Sequence, residues 1–206
     1  MLITFSGLDG SGKTTVIRRV KNKLNSLGYN CRTYTVYFDV SLYGIIRKVI
    51  RLANNDSIQI QNVKLNNDEK SNQLKSLFRS KYTKTVVIYL DAIITWSYYI
   101  YFSFFKREVL IFDRYYYDFL VDLQLEGMIS NNHLRILKII YPKPFLSIYL
   151  DIDATEAWNR KHEYTIEYLH EKRGRYKNIF TNLTKKLEVY NDNLDNTLSK
   201  IYDAIR

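Results

Sequence analysis

The first 28 residues of the chain, MLITFSGLDGSGKTTVIRRVKNKLNSLG, decide its fold class. The apolar run at residues 2–6 predicts a short buried strand. Apolar residues then recur at helical spacing over residues 16–27, and Gly28 ends the pattern. Between strand and helix lies GLDGSGKT (residues 7–14), which fits the pattern G-x-x-x-x-G-K-[ST]. Strand, loop and helix together predict a site for phosphate groups.

This glycine-rich loop (residues 7–14) holds the residue types that phosphate binding requires. Glycines let successive backbone N–H groups turn toward one phosphate, and the helix that follows adds the positive end of its dipole. Lys13 supplies a movable cation, and the hydroxyl of Thr14 suits Mg²⁺. The loop alone leaves ATPase, GTPase and kinase activity open. We expect a nucleoside triphosphate to bind at Gly7, Asp9, Gly10, Ser11, Gly12, Lys13, Thr14 and Thr15.

A second apolar strand, residues 109–112, ends in Asp113 and Arg114. In motor and nucleic-acid ATPases we would expect Asp-Glu here, where the Glu aligns a water molecule. Guanine-selective switches usually carry an Asn-Lys-x-Asp segment, which this sequence lacks. An Arg in place of the Glu suits binding of a second phosphate, because a guanidinium can donate two parallel hydrogen bonds to it. The pattern therefore favours phosphoryl transfer over hydrolysis.

The rest of the chain alternates short strands with long helical segments. This alternation predicts an α/β fold with a parallel sheet covered by helices on both faces, in a single domain of 206 residues. Asp153 and Glu156 resemble a capping box and predict a helix start. The polar stretch at residues 54–80 predicts a mobile insertion or short helices. Further strands are predicted at residues 31–38, 145–150 and 187–190, and further helices at residues 43–52 and 194–205.

Composition limits the classes of partner. The net charge of +10 favours anionic ligands, but no block of five like charges suggests a nucleic-acid tail. The apolar run at residues 85–105 contains Asp91, which is costly in lipid, so we predict a buried helix rather than a membrane span. With one Cys and no secretory signal, we expect a cytoplasmic protein, with neither nucleic acid nor membrane as partner.

Three segments resemble the thymidylate kinase family of nucleoside monophosphate kinases. They are GLDGSGKTT (residues 7–15), IFDRYYYD (residues 111–118) and RKHEYTIEYLHEKRGRY (residues 160–176). The last of these is similar to the family's Arg-rich lid. The resemblance implies a three-layer P-loop kinase fold with a five-stranded parallel sheet, ATP and Mg²⁺ as cofactors, and transfer of a phosphoryl group to a nucleoside monophosphate such as dTMP. It also implies a homodimer formed through the apolar helix.

Carried over by position, the resemblance assigns roles to individual residues. Asp9 would face the acceptor, Asp113 would help Thr14 to organise the metal and the phosphates, and Arg114 would hold the acceptor phosphate. A lid at residues 160–175 would close over the transferring group with one of its arginines. The candidates for catalysis are Lys13, Arg114, Arg160 and Arg173, with Arg175 as a further lid candidate. The candidates for acceptor binding are Asp9, Arg47, Asp113, Arg114 and Tyr115.

Two departures from the family pattern bear on the acceptor. Members that read thymine typically carry an Arg in the core helix, whereas residues 92–97 here read AIITWS. At the end of the strand predicted at residues 31–38, where the family often has an Arg-Glu-Pro or Pro-Arg segment that contacts the acceptor, this chain has YFDV (residues 37–40). The acceptor is therefore a nucleoside monophosphate or a different small molecule, such as a nucleoside, a sugar or another alcohol. A nucleic-acid-stimulated ATPase is the less favoured alternative.

Overall fold

The computed structural model of the chain describes residues 1–35, 81–125, 127 and 131–205. Three predictions lie outside these residues: the helix at residues 43–52, the polar stretch at residues 54–80, and Arg47 as an acceptor contact.

Five parallel strands form one sheet in the order β2-β3-β1-β4-β5. The inner strands β1, β3 and β4 consist almost entirely of buried residues, as expected when helices cover both faces. The predicted five-stranded parallel sheet is thereby confirmed. The strands are β1 (Leu2–Gly7), β2 (Cys31–Thr35), β3 (Val109–Asp113), β4 (Leu146–Asp151) and β5 (Lys186–Tyr190).

Seven α-helices are described. The Asp153 side chain accepts a hydrogen bond from the backbone N–H of Thr155 (3.0 Å), so the predicted cap starts the fifth helix. The helices are α1 (Lys13–Ser26), α2 (Lys81–Ile100), α3 (Tyr116–Leu125), α4 (Asn131–Ile140), α5 (Ala154–Arg160), α6 (Ile166–Thr181) and α7 (Leu194–Ile205).

Alternate residues of the strands point into two separate cores. Ile3 and Phe5 of β1 contribute to a core with α1 and α7, whereas Leu2 belongs to a core with α3 and α6. The helices therefore lie on both faces of the sheet. This arrangement confirms the three-layer α/β architecture.

Helix α2 differs from the prediction of a helix buried on all sides. It continues into a π-helical turn (Tyr101–Phe105), and its buried residues include Asp91, Ala92 and Thr95. Phe104 and Phe105 are 82% and 74% exposed, so the prediction was wrong. An apolar sequence pattern does not show which faces of a helix meet a partner. Among the described residues, no helix is long and apolar enough to cross a bilayer.

Candidate active site

The sheet brings the glycine-rich loop and the end of β3 to the same edge. Phe5 of β1 lies beside Asp113 of β3 in the register, and the loop begins at Gly7. Open parallel sheets bind ligands at this carboxyl edge. A cavity of ≈ 300 Å³ opens here, and its lining residues are Asp9, Gly10, Gly12, Lys13, Thr14, Thr15, Asp113, Arg114 and Lys161.

Two glycines give the loop its shape. Gly10 and Gly12 have φ angles of +88° and +83°, in the left-handed region that favours glycine. At Gly10 an added Cβ would lie 2.7 Å from the carbonyl oxygen of Ala157. The loop therefore packs directly against the backbone of α5, and a side chain at Gly10 has no room.

We expect Gly10→Ala to destabilise the protein more than Gly28→Ala. Gly28 is the matched control, because its φ is +89° and nothing lies within 4 Å of its Cβ position. The left-handed conformation alone costs about 1–2 kcal/mol for a non-glycine residue. The clash with Ala157 should add at least about 1 kcal/mol, as in overpacked cores. The measurement is urea unfolding of both variants, and equal losses would contradict this account of the loop.

A buried amide fixes the loop from the other side. The Nδ2 group of Asn191, directly after β5, donates a hydrogen bond to the carbonyl oxygen of Ser11 (2.6 Å). The hydroxyl of Thr197 donates to Asn191 Oδ1 (3.0 Å) and so orients the amide. Sequence reasoning missed Asn191. The only available signal was its position at the end of a predicted strand.

Lys13 lies folded against the loop that carries it. Its side chain is buried, and Nζ donates hydrogen bonds to the carbonyl oxygens of Gly7 (2.9 Å) and Leu8 (2.7 Å). Burial lowers the pKa of Lys13 to about 8, and the charge of Arg114 contributes to the shift. The ammonium group is thus a poorly hydrated cation beside the cavity, where an anion would be a strong partner.

Asp113 offers an unused oxygen to the same cavity. Its Oδ1 atom is buried and has no hydrogen-bond partner, and burial raises the pKa of the carboxyl group. The hydroxyl-bearing Thr14 also lines the cavity. These two oxygen donors fit Mg²⁺, which is held in proteins by few side chains together with phosphate oxygens and water. Over the described part of the chain, no cluster of three His, Cys, Asp or Glu residues could hold a metal alone.

Arg114 and Asp9 form an ion pair across the cavity. Burial alone would raise the pKa of Asp9, but the charges of Arg114 and Lys13 outweigh it and lower this pKa. Arg114 has a φ of +68°, and its backbone N–H donates to the carbonyl oxygen of Phe5 (2.8 Å). The guanidinium is therefore held toward the loop by its own carboxylate partner.

Lys161 is the cavity residue that the sequence analysis did not single out. It follows the last residue of α5, and its Nζ forms an ion pair with Glu163 (2.9 Å). The pair Arg160-Lys161 is a dibasic signal within the predicted lid, but the sequence does not show which member faces the loop.

The other lid arginines do not line the cavity. Arg160 forms an ion pair with Glu156 and donates a hydrogen bond to the carbonyl oxygen of Gly10 (3.3 Å), at the outer margin of the loop. Arg175 pairs with Glu171 on the exposed side of α6 (3.1 Å).

Arg173 is bound elsewhere, at the end of β4. Its Nε and Nη2 atoms donate to the two oxygens of Asp151 (2.7 and 2.9 Å), and Nη1 donates to Asp153 (2.9 Å). This fork links α6 to the sheet. In this structure Arg173 joins two elements of the fold and does not face the cavity.

We expect Arg173→Gln to lower the free energy of unfolding at pH 7 by about 1–3 kcal/mol, as for charge-assisted hydrogen bonds. Burial alone would raise the pKa of Asp151, but Arg173 and Lys177 lower it. A carboxyl group whose pKa is lower in the folded state than in the unfolded state stabilises the fold at pH values above its unfolded pKa of about 3.9. This contribution is lost as the pH falls toward the folded-state pKa. The difference between wild type and variant should therefore shrink below about pH 4.

The control for this variant is Arg175→Gln on the same helix, which should change stability by less than about 0.5 kcal/mol because its ion pair is exposed. Chemical denaturation between pH 3 and pH 7 measures both variants. A difference that stays constant over this range would contradict the assignment to Asp151.

Tyr115 lies in the core and not in the cavity. Its ring is fully buried, and its hydroxyl donates a hydrogen bond to the carbonyl oxygen of Pro142 (2.7 Å). The structure therefore does not bring Tyr115 together with the other predicted acceptor residues, Asp9, Asp113 and Arg114.

Comparison with known proteins adds no assignment. The chain matches no protein-family model, and no curated protein matches it significantly. The fold and the site define a three-layer α/β protein with a cation-lined cavity at the carboxyl edge of a parallel sheet.

Proposed function

We propose that this protein transfers the γ-phosphoryl group of Mg²⁺-ATP to a nucleoside monophosphate of the dTMP type. The observation that carries the proposal is the cavity itself. Three cations from separate parts of the chain, Lys13, Arg114 and Lys161, line it together with the glycine-rich loop. Phosphoryl transfer requires positioning and charge neutralisation more than covalent chemistry from the protein.

The loop and Lys13 form the donor side of the proposed site. Lys13 already uses its ammonium group to bind two carbonyl oxygens of the loop. A β- or γ-phosphate would offer this buried cation a full negative charge in place of neutral oxygens. The N-terminus of α1 begins at Lys13 and adds its dipole to the same place. These features support binding of the triphosphate along the loop.

Arg114 and Lys161 form the acceptor side. Arg114 would exchange its carboxylate partner Asp9 for the phosphate of the acceptor, because a guanidinium binds either anion through the same geometry. Lys161 lies on the same cavity and would neutralise charge that develops on the transferring group. Of the basic residues in the predicted lid, the geometry supports Lys161 more directly than Arg160 or Arg173.

Thr14 and the unbonded Oδ1 of Asp113 would hold the metal. A bound Mg²⁺ supplies charge neutralisation and orientation to the phosphates. The other residues contact the substrates directly: Lys13 binds the donor and Arg114 binds the acceptor. Gly10 and Gly12 allow the backbone of the loop to come close to the phosphates.

A second candidate is transfer to a hydroxyl group of a nucleoside, sugar or other alcohol. The ion-paired carboxylate of Asp9 lines the cavity, where it can accept a hydrogen bond from such a hydroxyl. This reaction uses the same donor side. It differs only in the group of the acceptor that Arg114 and Asp9 would contact, a hydroxyl instead of a phosphate.

Release of ADP from Mg²⁺-ATP tests the two candidates. Purified protein is incubated with dTMP, with other nucleoside monophosphates, and with nucleosides and sugars in separate reactions, and Lys13→Ala serves as the blank. We expect a nucleoside monophosphate to stimulate ADP release by the wild-type protein and not by Lys13→Ala. Stimulation by nucleosides or sugars only would support the second candidate. ADP release that no acceptor changes would contradict both.

A further inference from the structure

One buried carboxylate outside the cavity connects three elements that lie next to the site. Asp118, in the first turn of α3, is fully buried. Its Oδ2 atom accepts hydrogen bonds from the hydroxyl of Ser6 (2.6 Å) and the backbone N–H of Tyr115 (2.9 Å). Its Oδ1 atom accepts from the hydroxyl of Tyr176 (2.7 Å). Buried carboxylates are costly unless they are bonded in this way.

Each of the three donors belongs to a different element of the fold next to the site. Ser6 is the residue of β1 directly before the glycine-rich loop, and Tyr115 directly follows Arg114 in the chain. Tyr176 lies on α6, where its ring stacks on Tyr149 of the sheet. Asp118 therefore joins the start of the loop, the backbone next to Arg114, and the helix that carries most of the predicted lid.

The backbone at Arg114 needs such a constraint. Its φ of +68° is disfavoured for a residue with a side chain and persists only where the surroundings fix it. On one side, the N–H of Arg114 is bound to Phe5 in β1. On the other side, the N–H of the next residue is bound to Asp118. These two hydrogen bonds bracket Arg114 and aim its side chain at the cavity.

We propose that Asp118 is a positioning residue, which holds Arg114 at the cavity through the hydrogen bond to the backbone of Tyr115. The consequence for acceptor binding rests on the proposed function, whereas the effect on Arg114 itself does not. Asp118 does not line the cavity, so it acts only through its neighbours.

The chemistry of the three donors allows a conservative rescue. In Asp118→Asn, the amide oxygen can take the place of Oδ2 and still accept from Tyr115. The amide NH₂ group then faces the hydroxyl of Tyr176, which can rotate and accept a hydrogen bond. Asp118→Ala loses all three hydrogen bonds. A positioning role therefore predicts a defect in the alanine variant that the asparagine variant largely restores.

The first test needs no acceptor. Phenylglyoxal modification of arginines in the full chain is followed peptide by peptide by mass spectrometry, with the exposed Arg175 as internal control. We expect Arg114 to react at least about 5-fold faster in Asp118→Ala than in wild type, because its ion pair with Asp9 is loosened, and Arg175 to be unchanged. Asp118→Asn should react nearly as wild type. An unchanged rate at Arg114 in folded Asp118→Ala would overturn the proposal.

If Asp118→Ala does not fold, Asp118→Leu takes its place, because its side chain fills a similar space and cannot accept the hydrogen bond from the backbone of Tyr115. We again expect Arg114 to react at least about 5-fold faster than in wild type, and an unchanged rate in the folded variant would overturn the proposal.

The second test is kinetic and uses the acceptor found by ADP release. Asp118→Ala should raise the KM for the acceptor at least about 10-fold and leave the Kd for Mg²⁺-ATP within about 2-fold, and Asp118→Asn should restore the acceptor KM. Equal loss of both affinities would show a general structural role and overturn the proposal. If the wild type transfers no phosphoryl group, the proposed function fails, and the modification rates still decide the role of Asp118.

Discussion

In Lys13→Ala, phosphoryl transfer is expected to fall by about 10³-fold or more, which corresponds to about 4 kcal/mol of transition-state stabilisation. The ammonium group of Lys13 is buried beside the cavity and donates hydrogen bonds to oxygens of the loop itself, so water screens its charge little. Steady-state ADP release at saturating acceptor measures the effect.

Lys23→Ala is the matched control, because Lys23 lies on the same helix and is exposed. It should retain wild-type activity and melting temperature. If Lys13→Ala kept more than about one tenth of the wild-type rate, the loop would not be the donor site.

In Arg114→Ala, kcat/KM for the acceptor is expected to fall by about 10²-fold or more, or about 2.7 kcal/mol. The side chain is the only guanidinium that lines the cavity among the described residues. Arg114→Lys should recover only part of this loss, because an ammonium group keeps the charge but not the two parallel hydrogen bonds. The Kd for Mg²⁺-ATP should change far less than the KM for the acceptor.

Arg107→Ala controls for the unusual backbone at Arg114. Arg107 also has a positive φ, of +52°, and lies before the same strand at its other end, where it is exposed. Its replacement should leave the acceptor KM unchanged. Equal effects of the two variants would indicate a backbone disturbance and contradict the role of the Arg114 guanidinium.

The sheet was predictable because its strands are short continuous apolar runs. Residues 2–6, 109–112 and 145–150 are mostly apolar without alternation, as expected for strands buried on both faces, and long helical segments separate them in the chain. The exposure of α2 was not predictable in the same way. Apolar residues occur all round α2, so the sequence pattern does not show that Ala92 is buried and the neighbouring Ile93 exposed.

The cavity residues that lie close together in the sequence were also predictable. Asp9, Lys13 and Thr14 belong to one motif, and Asp113 with Arg114 ends one strand. Lys161 and Asn191 reach the loop only through the fold, because the order of the strands places β4 and β5 beside β1. Local sequence does not show that these two residues reach the loop.

Arg173 shows that local sequence can also suggest a site contact that the fold does not make. The resemblance assigns it a place over the transferring group, and its residue type suits that role. Its actual partners, Asp151 and Asp153, lie 22 and 20 positions earlier in the chain, and only the packing of α6 against β4 brings them together. Which anionic group binds the guanidinium of Arg173 therefore depends on the packing of the folded chain and not on the local sequence.

Transfer of the label from γ-³²P-ATP is the most direct test of the central claim. Wild-type protein is incubated with labelled Mg²⁺-ATP and dTMP, and with each other nucleoside monophosphate in separate reactions, and the products are separated by chromatography, with Lys13→Ala run in parallel. We expect label in the nucleoside diphosphate made from the acceptor with wild-type protein, and no labelled nucleoside diphosphate with Lys13→Ala. Label recovered only as inorganic phosphate, or only in unreacted ATP across the full set of nucleoside monophosphates, would contradict the central claim.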